Sequence, residues 1–339
     1  MKAVIAMSGG VDSSVAALLM KNEGYTCVGA TMQLYSEGDC SDAKAVADKL
    51  GMPFYIFLLK EEFKKLVIDK FIECYENGKT PNPCIECNRT LKFGAMIDKM
   101  HELKADYVVT GHYARVEFEN GEYKLKKAVD ESKDQSYFLY MLTQEQLKHI
   151  KFPLGEYTKP EIRQIAEKNG FINALKKDSQ DICFVPDGDY VSFIKSYNNK
   201  EYPKGLFMHK DGFSFGEHKG IVNYTIGQRK GLGIAYKNPL YVLNIDPETN
   251  NVILGDNEDL FTDEVKAKNV NIISGKQITE PIRVLARVRY RHKEQPAIAW
   301  QTEDGILHVK FDEPQRAITK GQSLVLFDGD TVLGGGEIT

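Results

Sequence analysis

The chain has 339 residues and a net charge of −4, with 42% hydrophobic and 27% charged residues. This length predicts two or three domains, each with its own core. No apolar run is long enough to span a bilayer and no signal peptide is recognisable, so we expect a cytoplasmic protein with no membrane partner. The negative charge excludes a uniformly basic nucleic-acid-binding protein but allows a local cationic patch.

The first part of the chain alternates between strand-like and helix-like segments. Apolar runs predict buried strands, and segments with helical periodicity that end near a glycine predict helices. The predicted strands are Ala3–Met7, Thr26–Leu34, Pro53–Leu59 and Ala105–Thr110, and the predicted helices are Val11–Asn22, Asp42–Leu50, Glu61–Glu76 and Lys159–Asn169. This alternation predicts an α/β fold with a doubly wound parallel sheet and ligands at the carboxyl ends of its strands.

Beyond about residue 203 the pattern changes to short alternating segments separated by Gly, Asn-Pro and Asp-Pro. Their spacing is typical of small antiparallel barrels. The predicted strands are Leu240–Ile245, Asn251–Leu254, Ile282–Tyr290, Ala297–Gln301, Ile306–Phe311 and Ser323–Phe327. We therefore predict three domains: an α/β domain at 1–200, with a helical part at about 140–200, a small central β-rich domain at 201–265 and a C-terminal β-barrel at 266–339.

The segment Ser8–Ser14, with the sequence SGGVDSS, lies between the first predicted strand and the first predicted helix. Its glycines allow the backbone to approach an anion, and the serine hydroxyls and the helix N-terminus donate to that anion. These features predict a phosphate cradle, in which Asp12 helps to hold Mg²⁺. The lysine of a kinase or GTPase P-loop is missing. The segment resembles instead the loop of PP-loop ATP pyrophosphatases, which implies cleavage of ATP between its α- and β-phosphates.

Cys84 and Cys87 form a C-x-x-C pair within Thr80–Arg89, before a helix predicted to begin near Thr90. The helix N-terminus and the charge of Arg89 are expected to lower the thiol pKa and favour the thiolate. The spacing alone fits half of a zinc site, a pair of iron–sulfur ligands or a redox dithiol.

Cys183 provides a third candidate thiol in the segment Asp178–Phe184, after the basic residues Lys176 and Lys177. An inert buried cysteine is the alternative at this position. The remaining cysteines have no partner at a recognisable spacing and are predicted to be bystanders; they are Cys27, Cys40 and Cys74.

Cations alternate with apolar residues between Ile282 and Lys293. On a strand this alternation places the cations on one face. They are Arg283, Arg287, Arg289, Arg291 and Lys293. Such a face predicts a patch for an RNA backbone, with a solvated barrel surface as the alternative.

From Met1 to Glu337 the chain resembles the bacterial and organellar tRNA 2-thiouridylase family. The resemblance is carried, in order, by Ser8–Ser14, Thr80–Cys87, Thr110–Tyr113, Lys133–Phe138, Ser179–Phe184, Gly227–Gly233 and Gly334–Gly336. It implies adenylation by ATP of the C2 oxygen of the wobble uridine in tRNAs of the Glu, Gln and Lys type, followed by replacement of that oxygen with sulfur. The target base would be flipped into a pocket, at small cost because it is unpaired.

The resemblance also implies roles for individual residues. Cys183 would carry a persulfide received from a sulfur-relay protein or a cysteine desulfurase, and Cys87 would be the nucleophile that forms a disulfide with it. The implied ATP contacts are Ala6, Met7, Ser8, Gly9, Gly10, Val11, Asp12, Ser13, Met32 and Gly111. The implied contacts to the target base and the tRNA are Asn82, Pro83, Cys84, His112, Lys133, Asp134, Gln135, Arg289, Tyr290 and Gln322. The central domain would also contact tRNA.

Cys84 departs from the family pattern, because many members have an aspartate three residues before the nucleophile as a general acid or base. Resemblance to iron–sulfur-dependent tRNA thiolases implies the alternative that Cys84, Cys87 and Cys183 hold a [4Fe–4S] cluster with one open iron. Zinc bound by the same thiols is a further alternative. For the whole chain, the alternatives are another PP-loop enzyme, such as an amide-forming synthetase, and a non-catalytic RNA-binding protein.

Overall fold

The structure is a computed structural model and describes residues 1–35, 40–176, 182–185 and 187–339. In chain order the strands are β1 Lys2–Ala6, β2 Thr26–Gln33, β3 Phe54–Leu58, β4 Tyr107–Val109, β5 Ala114–Glu119, β6 Glu122–Lys127, β7 Ile150–Lys151, β8 Gly205–His209, β9 Ser214–His218, β10 Tyr241–Asp246, β11 Asn251–Gly255, β12 Phe261–Ile272, β13 Ile282–Arg287, β14 Gln295–Gln301, β15 Leu307–Arg316, β16 Ser323–Asp328 and β17 Thr331–Ile338.

The helices include two runs in which α-helical and π-helical turns follow one another without a break. The α-helices are α1 Val11–Asn22, α2 Ser41–Lys49, α3 Lys60–Phe63, α4 Asp69–Glu76, α5 Pro83–Cys87, α6 Met96–Glu102, α7 Gln144–Lys148, α8 Lys159–Lys168 and α9 Tyr190–Asn198. The π-helical turns are Lys64–Ile68 and Asn88–Ala95, and the short 3-10 helices are Ser136–Leu139, Ile221–Asn223 and Asn257–Leu260. Within the described residues, none of these helices is long and apolar enough to cross a membrane.

The first part of the chain folds around a parallel sheet with the strand order β3-β2-β1-β4-β7. β1 lies at its centre, where Ala3, Val4 and Ile5 are completely buried. α1, α2 and α8 share a core on one face of the sheet, and Met96 and Met100 of α6 pack on the other. The predicted doubly wound sheet is thereby confirmed. The chain leaves β1 for β2 on one side and later adds β4 on the other, so the carboxyl end of β1 is the switch point at which such sheets bind ligands.

β3 differs from the prediction of a third buried strand. It forms the edge of the sheet, and its side chains Tyr55, Ile56 and Leu58 are 44%, 49% and 71% exposed. An apolar run indicates a strand but does not reveal whether a further strand or helix covers it.

The C-terminal strands form a closed antiparallel barrel in the order β12-β15-β14-β13-β16-β17, closed by the pairing of β12 with β17. This confirms the predicted barrel. The run Gly334–Gly336 belongs to its closure, because a Cβ atom at these positions would collide with the backbone of β12 or β16. The hairpin β5–β6, which was not predicted, joins the same sheet through β17.

The central β-rich part is a four-stranded sheet with the order β10-β11-β8-β9. It contacts both of its neighbours. A Cβ atom on Gly78 would lie 2.8 Å from the carbonyl oxygen of Ile245, and Arg289 of the barrel region donates to the carbonyl oxygen of Ile226 at 3.1 Å. These contacts bring the loop before α5 next to the central sheet and the barrel.

Candidate nucleotide and cysteine site

The loop between β1 and α1 is curled into the shape of an anion cradle. Gly9 has a φ of +74°, a conformation that favours glycine, and Gly10 precedes the first turn of α1. The Ser13 hydroxyl accepts from the Ser8 N–H at 3.2 Å and donates to the Gly10 carbonyl at 3.1 Å. A Cβ atom on Gly111 would lie 2.8 Å from the Ser13 nitrogen, so only glycine lets the loop after β4 close against this one. The arrangement leaves the N-terminus of α1 directed at the switch point, where it favours an anion.

Asp12, in the first turn of α1, is held by two groups that the sequence did not single out. Lys159 Nζ lies 2.8 Å from both carboxylate oxygens, and the Tyr113 hydroxyl donates to one of them at 2.9 Å. The Lys159 side chain is only 8% exposed. The sequence did indicate a role for Lys159. It is the first residue of α8, where the helix dipole disfavours a cation, so another interaction must hold it there.

A buried asparagine ties the segment after α8 to the cradle. Asn173 is 3% exposed, and its Nδ2 donates to the Gly9 carbonyl at 3.0 Å and to the Ser14 hydroxyl at 2.9 Å. Lys176 forms an ion pair with Asp42 at 2.8 Å. The segment that leads towards Cys183 is therefore anchored to the nucleotide loop at Asn173. Residues 177–181, which include the first part of the predicted Cys183 segment, lie outside the described residues.

The helix that carries Cys84 and Cys87 begins earlier than predicted. It starts at Pro83 instead of near Thr90, with Asn82 as the N-cap, and continues through the π-helical turn into α6. Proline is well suited to the first helical position, because its missing N–H has no partner there in any case. Cys87 is buried, Cys84 and Cys183 are exposed, and all six cysteines are free thiols.

The expectation of acidic thiols is wrong for this conformation. Burial raises the pKa of Cys87 to about 11, and loss of water also raises the pKa of Cys84 and Cys183. A helix N-terminus contributes only about 0.3–1 kcal/mol, whereas a pKa of about 11 instead of 9 corresponds to roughly 3 kcal/mol. Arg89 adds little, because its guanidinium is paired with Glu86 at 2.7 Å.

Lys92 is the cation that acts on all three thiols. Its charge lowers the pKa of each of them, although less than burial raises it. Lys92 lies five residues after Cys87 in the π-helical turn Asn88–Ala95. Residues three or four apart share a face of an α-helix, but the wider π turn aligns residues about five apart. The sequence alone gives no sign of this wider turn, so Lys92 was missed.

Alkylation of Cys87 is expected to accelerate about tenfold per pH unit between pH 7 and pH 9, because the pKa of about 11 leaves the thiolate a small fraction that grows with pH. Replacement of Lys92 with methionine should slow the reaction at each pH, since it removes the cation that lowers this pKa. Iodoacetamide labelling, quantified by peptide mass spectrometry on tRNA-free protein, measures both effects. A rate that does not change across this range would mean that the thiolate is already formed, as the helix N-terminus had led us to expect.

Cys183 is positioned by the residue that follows it. Phe184 is 1% exposed and packs edge-on against Phe63 and Phe71, with ring centroids 5.7 and 5.2 Å away. Cys87 belongs to the same hydrophobic cluster, and Met32 at the end of β2 packs against it. A thiolate at Cys183 would raise the pKa of Cys87, and a thiolate at Cys84 would raise the pKa of both, so the three thiols lie within electrostatic range of one another. The structure therefore brings the three predicted thiols together near the carboxyl edge of the parallel sheet.

The three thiols do not form a metal-binding group in this conformation. Across the described part of the chain, no three side chains of His, Cys, Asp or Glu are gathered closely enough to hold a metal ion. As they stand, the described residues thus do not fit the alternative of a [4Fe–4S] cluster or that of a zinc site. Mg²⁺ is a different case, because it is commonly bound by one or two carboxylates together with substrate phosphates, and Asp12 is 31% exposed in its side chain.

Several residues implied in tRNA contact are used inside the protein. Asp134 is buried, and its carboxylate accepts hydrogen bonds from the backbone of Ala128 and Ser136 and from the Ser136 hydroxyl. Gln322 donates to the carbonyl oxygens of Thr80 and Pro81 at 2.9 and 3.2 Å. In the described conformation these two side chains thus form hydrogen bonds within the protein.

His112 is a further implied tRNA contact. Its Nδ1 lies 2.7 Å from the Thr110 hydroxyl, and burial, reinforced by Lys92, lowers the pKa of His112 well below its ordinary value, so the ring is neutral. The remaining members are Lys133, which is half-buried, Gln135, which accepts from the Tyr113 N–H at 3.0 Å, and Tyr290, which donates to the Asp134 carbonyl at 3.1 Å.

The cationic face predicted on Ile282–Lys293 does not form as a continuous strand face. β13 ends at Arg287, and three of the five cations have partners within the protein. Arg283 is paired with Asp312, Arg287 with Glu294 at 2.6 Å, and Arg289 donates to the carbonyl of Ala317 at 3.0 Å. The charges of Arg283 and Arg287 are thus neutralised within the barrel, and Arg289 is held by neutral oxygen atoms.

The fold and the cradle define a nucleotide-binding α/β protein of the PP-loop type followed by two β-rich units. Three family models match the chain in order: a tRNA methyl transferase HUP domain at residues 1–187, a tRNA methyl transferase PRC-barrel domain at 191–256 and an aminomethyltransferase β-barrel domain at 262–338. Together they span almost the whole chain.

The chain matches curated relatives over almost their full length. The chain is 49% identical to a tRNA-specific 2-thiouridylase of Clostridioides difficile, over 99% of this chain and 98% of the relative. It is 48% identical to one of Acetivibrio thermocellus, over 99% of both. A solved 4-thiouridine synthetase in complex with RNA and ATP matches 57% of this chain and 50% of that chain at 22% identity, with a TM-score of 0.36. On the strength of the close relatives, the chain belongs to the tRNA-specific 2-thiouridylase family.

Proposed function

We propose that this chain is an ATP-dependent sulfurtransferase that converts the wobble uridine of tRNA into 2-thiouridine, acting in the cytoplasm. One observation supports this most directly: Cys87 and the anchor of Cys183 lie in one cluster against Met32, at the edge of the sheet where the cradle is. An edge that offers an anion cradle and two thiols suits a reaction that activates an oxygen with ATP and then replaces it with sulfur.

The proposed reaction balances as follows. The C2 oxygen of uridine attacks the α-phosphorus of ATP, releases pyrophosphate and becomes bonded to AMP. The terminal sulfur of a persulfide on Cys183 attacks C2, and the Cys87 thiolate then attacks Cys183 Sγ. The electron pair of the broken S–S bond stays with the sulfur on C2, and AMP leaves as the C=S bond forms. The sulfur is reduced, the two cysteines are oxidised to a disulfide, and a thiol reductant must reopen it before the next turnover.

In this proposal the residues Ala6–Ser13, Met32 and Gly111 bind ATP, and Asp12 would hold the Mg²⁺ that neutralises its phosphates. Asn82, Pro83 and Cys84 would contact the flipped base. Because free Cys87 is protonated at neutral pH, it becomes reactive only when tRNA binding changes its surroundings or brings it closer to Lys92. The sulfur would come from a sulfur-relay protein or a cysteine desulfurase.

Two other activities are less compatible with the site. The family-model descriptions mention methyl transfer, but a methyl transferase needs neither a cradle for ATP phosphates nor three neighbouring thiols. An amide-forming synthetase would use the cradle and leave the cysteines without a role. The thiols at the sheet edge favour sulfur transfer over both.

The direct test is mass spectrometry of nucleosides from substrate tRNA after incubation with the protein, ATP and a sulfur donor. We expect 2-thiouridine at the wobble position and one pyrophosphate per modified base. Pyrophosphate release without thiolation would indicate a different PP-loop activity, and neither product would favour a non-catalytic RNA-binding protein. Anaerobic purification with iron analysis in parallel tests the cluster alternative, because a colourless and fully active protein would exclude it.

Replacement of Cys84 with aspartate separates the two proposed sulfur carriers. If the sulfur is carried by a persulfide, we expect Cys84→Asp to retain thiolation within about tenfold of the original rate, because the carboxylate supplies the general acid or base that many family members have here. If Cys84 is a cluster ligand, both Cys84→Asp and Cys84→Ser should lose activity together with bound iron. Thiolation rate and iron content are measured on the same preparations of parent and variants. Loss of activity in Cys84→Asp when the parent protein is active without bound iron would contradict both accounts.

A further inference from the structure

The central β-rich part contains a stretch of 28 residues, from His218 to Ile245, without a single aspartate or glutamate, in a chain whose net charge is −4. It carries four cations, Lys219, Arg229, Lys230 and Lys237. All four are exposed, and within the described residues none of them has an ion-pair partner, in contrast to the arginines of β13. This stretch therefore carries positive charge that no acidic residue within it balances.

An open aromatic cluster lies beside these cations. Phe213 and Tyr236 are 43% and 38% exposed, and Phe215 packs between them with ring centroids 5.0 and 5.1 Å away. His209 stacks against Phe213 at 4.5 Å, with the planes 16° apart. β9, which follows Phe213, is an edge strand of the central sheet. Lys237 lies 5.9 Å from the centre of the Tyr236 ring.

The loop that joins these features is held in place. Arg229 and the residues from Gly231 to Leu240 line a groove of about 610 Å³. Leu232 and Ile234 pack against the core of the central sheet, whereas their neighbours Gly231, Gly233 and Ala235 face outwards. The loop thus has two buried anchors and an outer surface of cations and small residues. Small residues allow a ligand to approach the backbone closely.

The start of this loop lies next to the segment that precedes the cysteines. The loop emerges from Thr225 and Ile226. The Thr225 hydroxyl lies 3.5 Å from the hydroxyl of Thr80 in the segment before the cysteines, and the Ile226 carbonyl accepts from Arg289. The loop is therefore tied at its start both to the segment before the cysteines and to the barrel region.

We propose that the surface formed by Phe213, Tyr236, Arg229, Lys230 and Lys237 binds an unpaired nucleotide of the tRNA by stacking its base on an exposed ring while the cations contact the flanking phosphates. This inference rests on the proposed tRNA substrate. Stacking on an aromatic ring beside a cationic groove is how proteins hold single-stranded RNA without reading its sequence. An acidic protein would complement the cations equally well, but it gives no reason for two exposed rings beside them.

The test compares two leucine variants, Phe213→Leu and Tyr236→Leu, with Tyr236→Phe. Leucine keeps the apolar bulk and removes the ring, so we expect the Kd for full-length substrate tRNA to rise about 5- to 150-fold, whereas phenylalanine should leave it unchanged. The matched control is Phe118→Leu, which removes a ring that is 62% exposed on the distant hairpin β5–β6 and should have no effect. Thermal unfolding of each variant shows whether it is folded.

The cations are tested through salt dependence. The double variant Arg229→Gln, Lys237→Gln should reduce the slope of log Kd against log salt concentration by about 1.4–1.8, the amount expected for two lost phosphate contacts. Thiolation at saturating tRNA should stay near the original rate in all of these variants, because none of the residues belongs to the proposed reaction centre.

Three outcomes would overturn the stacking proposal. The first is an unchanged Kd in folded Phe213→Leu and Tyr236→Leu proteins whose parent thiolates tRNA, which leaves the proposed function intact. The second is an equal loss in Phe118→Leu. The third concerns the double cation variant. If its tRNA affinity is unaltered but it receives sulfur more slowly from a protein donor, and not from free sulfide, the surface binds that protein and not the tRNA. A parent protein that neither binds nor thiolates tRNA would instead refute the proposed function.

Discussion

Replacing Cys183 with serine is expected to abolish 2-thiouridine formation, with a loss on the order of 10⁴- to 10⁶-fold, while ATP binding and pyrophosphate release in the presence of tRNA persist. A serine hydroxyl cannot hold a sulfane sulfur, so the covalent carrier disappears although the cradle is unchanged. Nucleoside mass spectrometry measures the product, and a pyrophosphate assay on the same samples measures activation of the uridine. Cys87→Ser should behave in the same way, because the persulfide bond then has no thiolate to break it.

Cys74 offers a matched control for these substitutions. Burial raises the pKa of this thiol to about 11, as for Cys87, but Cys74 lies in α4 and has no part in the proposed chemistry. Cys74→Ser should therefore keep full thiolation. The mechanism would be refuted by full activity in Cys183→Ser or Cys87→Ser, and a Cys74→Ser protein as inactive as Cys183→Ser would show that the losses reflect folding.

The elements that the sequence predicted well are those whose pattern is local and strong. α1 has the predicted bounds, because its apolar periodicity ends just before Gly24. The start of the cysteine helix was misplaced by seven residues, because Pro83 was treated as part of an extended loop although proline also suits the first helical turn. The hairpin β5–β6 was overlooked although its signal is local and clear. Apolar and charged residues alternate in both strands, and Asn120 and Gly121, with φ values of +53° and +84°, form the two-residue turn that is typical of hairpins.

What the sequence could not provide is the set of partners that come from distant parts of the chain. The pattern of β13 shows which face its arginines share, but it does not show that Asp312 and Glu294 neutralise two of them. The neighbours of Cys87 in the chain suggested an acidic thiol, but its burial beside Phe184, 97 residues away, raises its pKa. Lys159 lies 147 residues from Asp12, and only its unfavourable place at a helix N-terminus hinted at a role.

Removal of that lysine is expected to have the second large effect. In Lys159→Met we expect the Kd for ATP to rise on the order of 10²- to 10³-fold, because the Asp12 carboxylate then faces the phosphates without its ammonium partner; a unit charge at about 4 Å is worth about 4 kcal/mol near a protein surface. Equilibrium binding, with and without Mg²⁺, measures the change. Tyr113→Phe removes only the 2.9 Å hydrogen bond to the same carboxylate and should cost less, about 1.5–3 kcal/mol.

A double-variant cycle separates the two ways in which Lys159 can act. If it serves to neutralise Asp12, then Lys159→Met combined with Asp12→Asn should bind ATP in the absence of Mg²⁺ much more tightly than Lys159→Met alone, because no uncompensated carboxylate remains. Lys159→Arg should bind nearly as well as the parent, since it keeps the charge. If instead the Lys159 ammonium leaves Asp12 and contacts the phosphates when ATP binds, the double variant will bind ATP as weakly as Lys159→Met. The ion pair with Asp12 would then be a feature of the ATP-free protein alone.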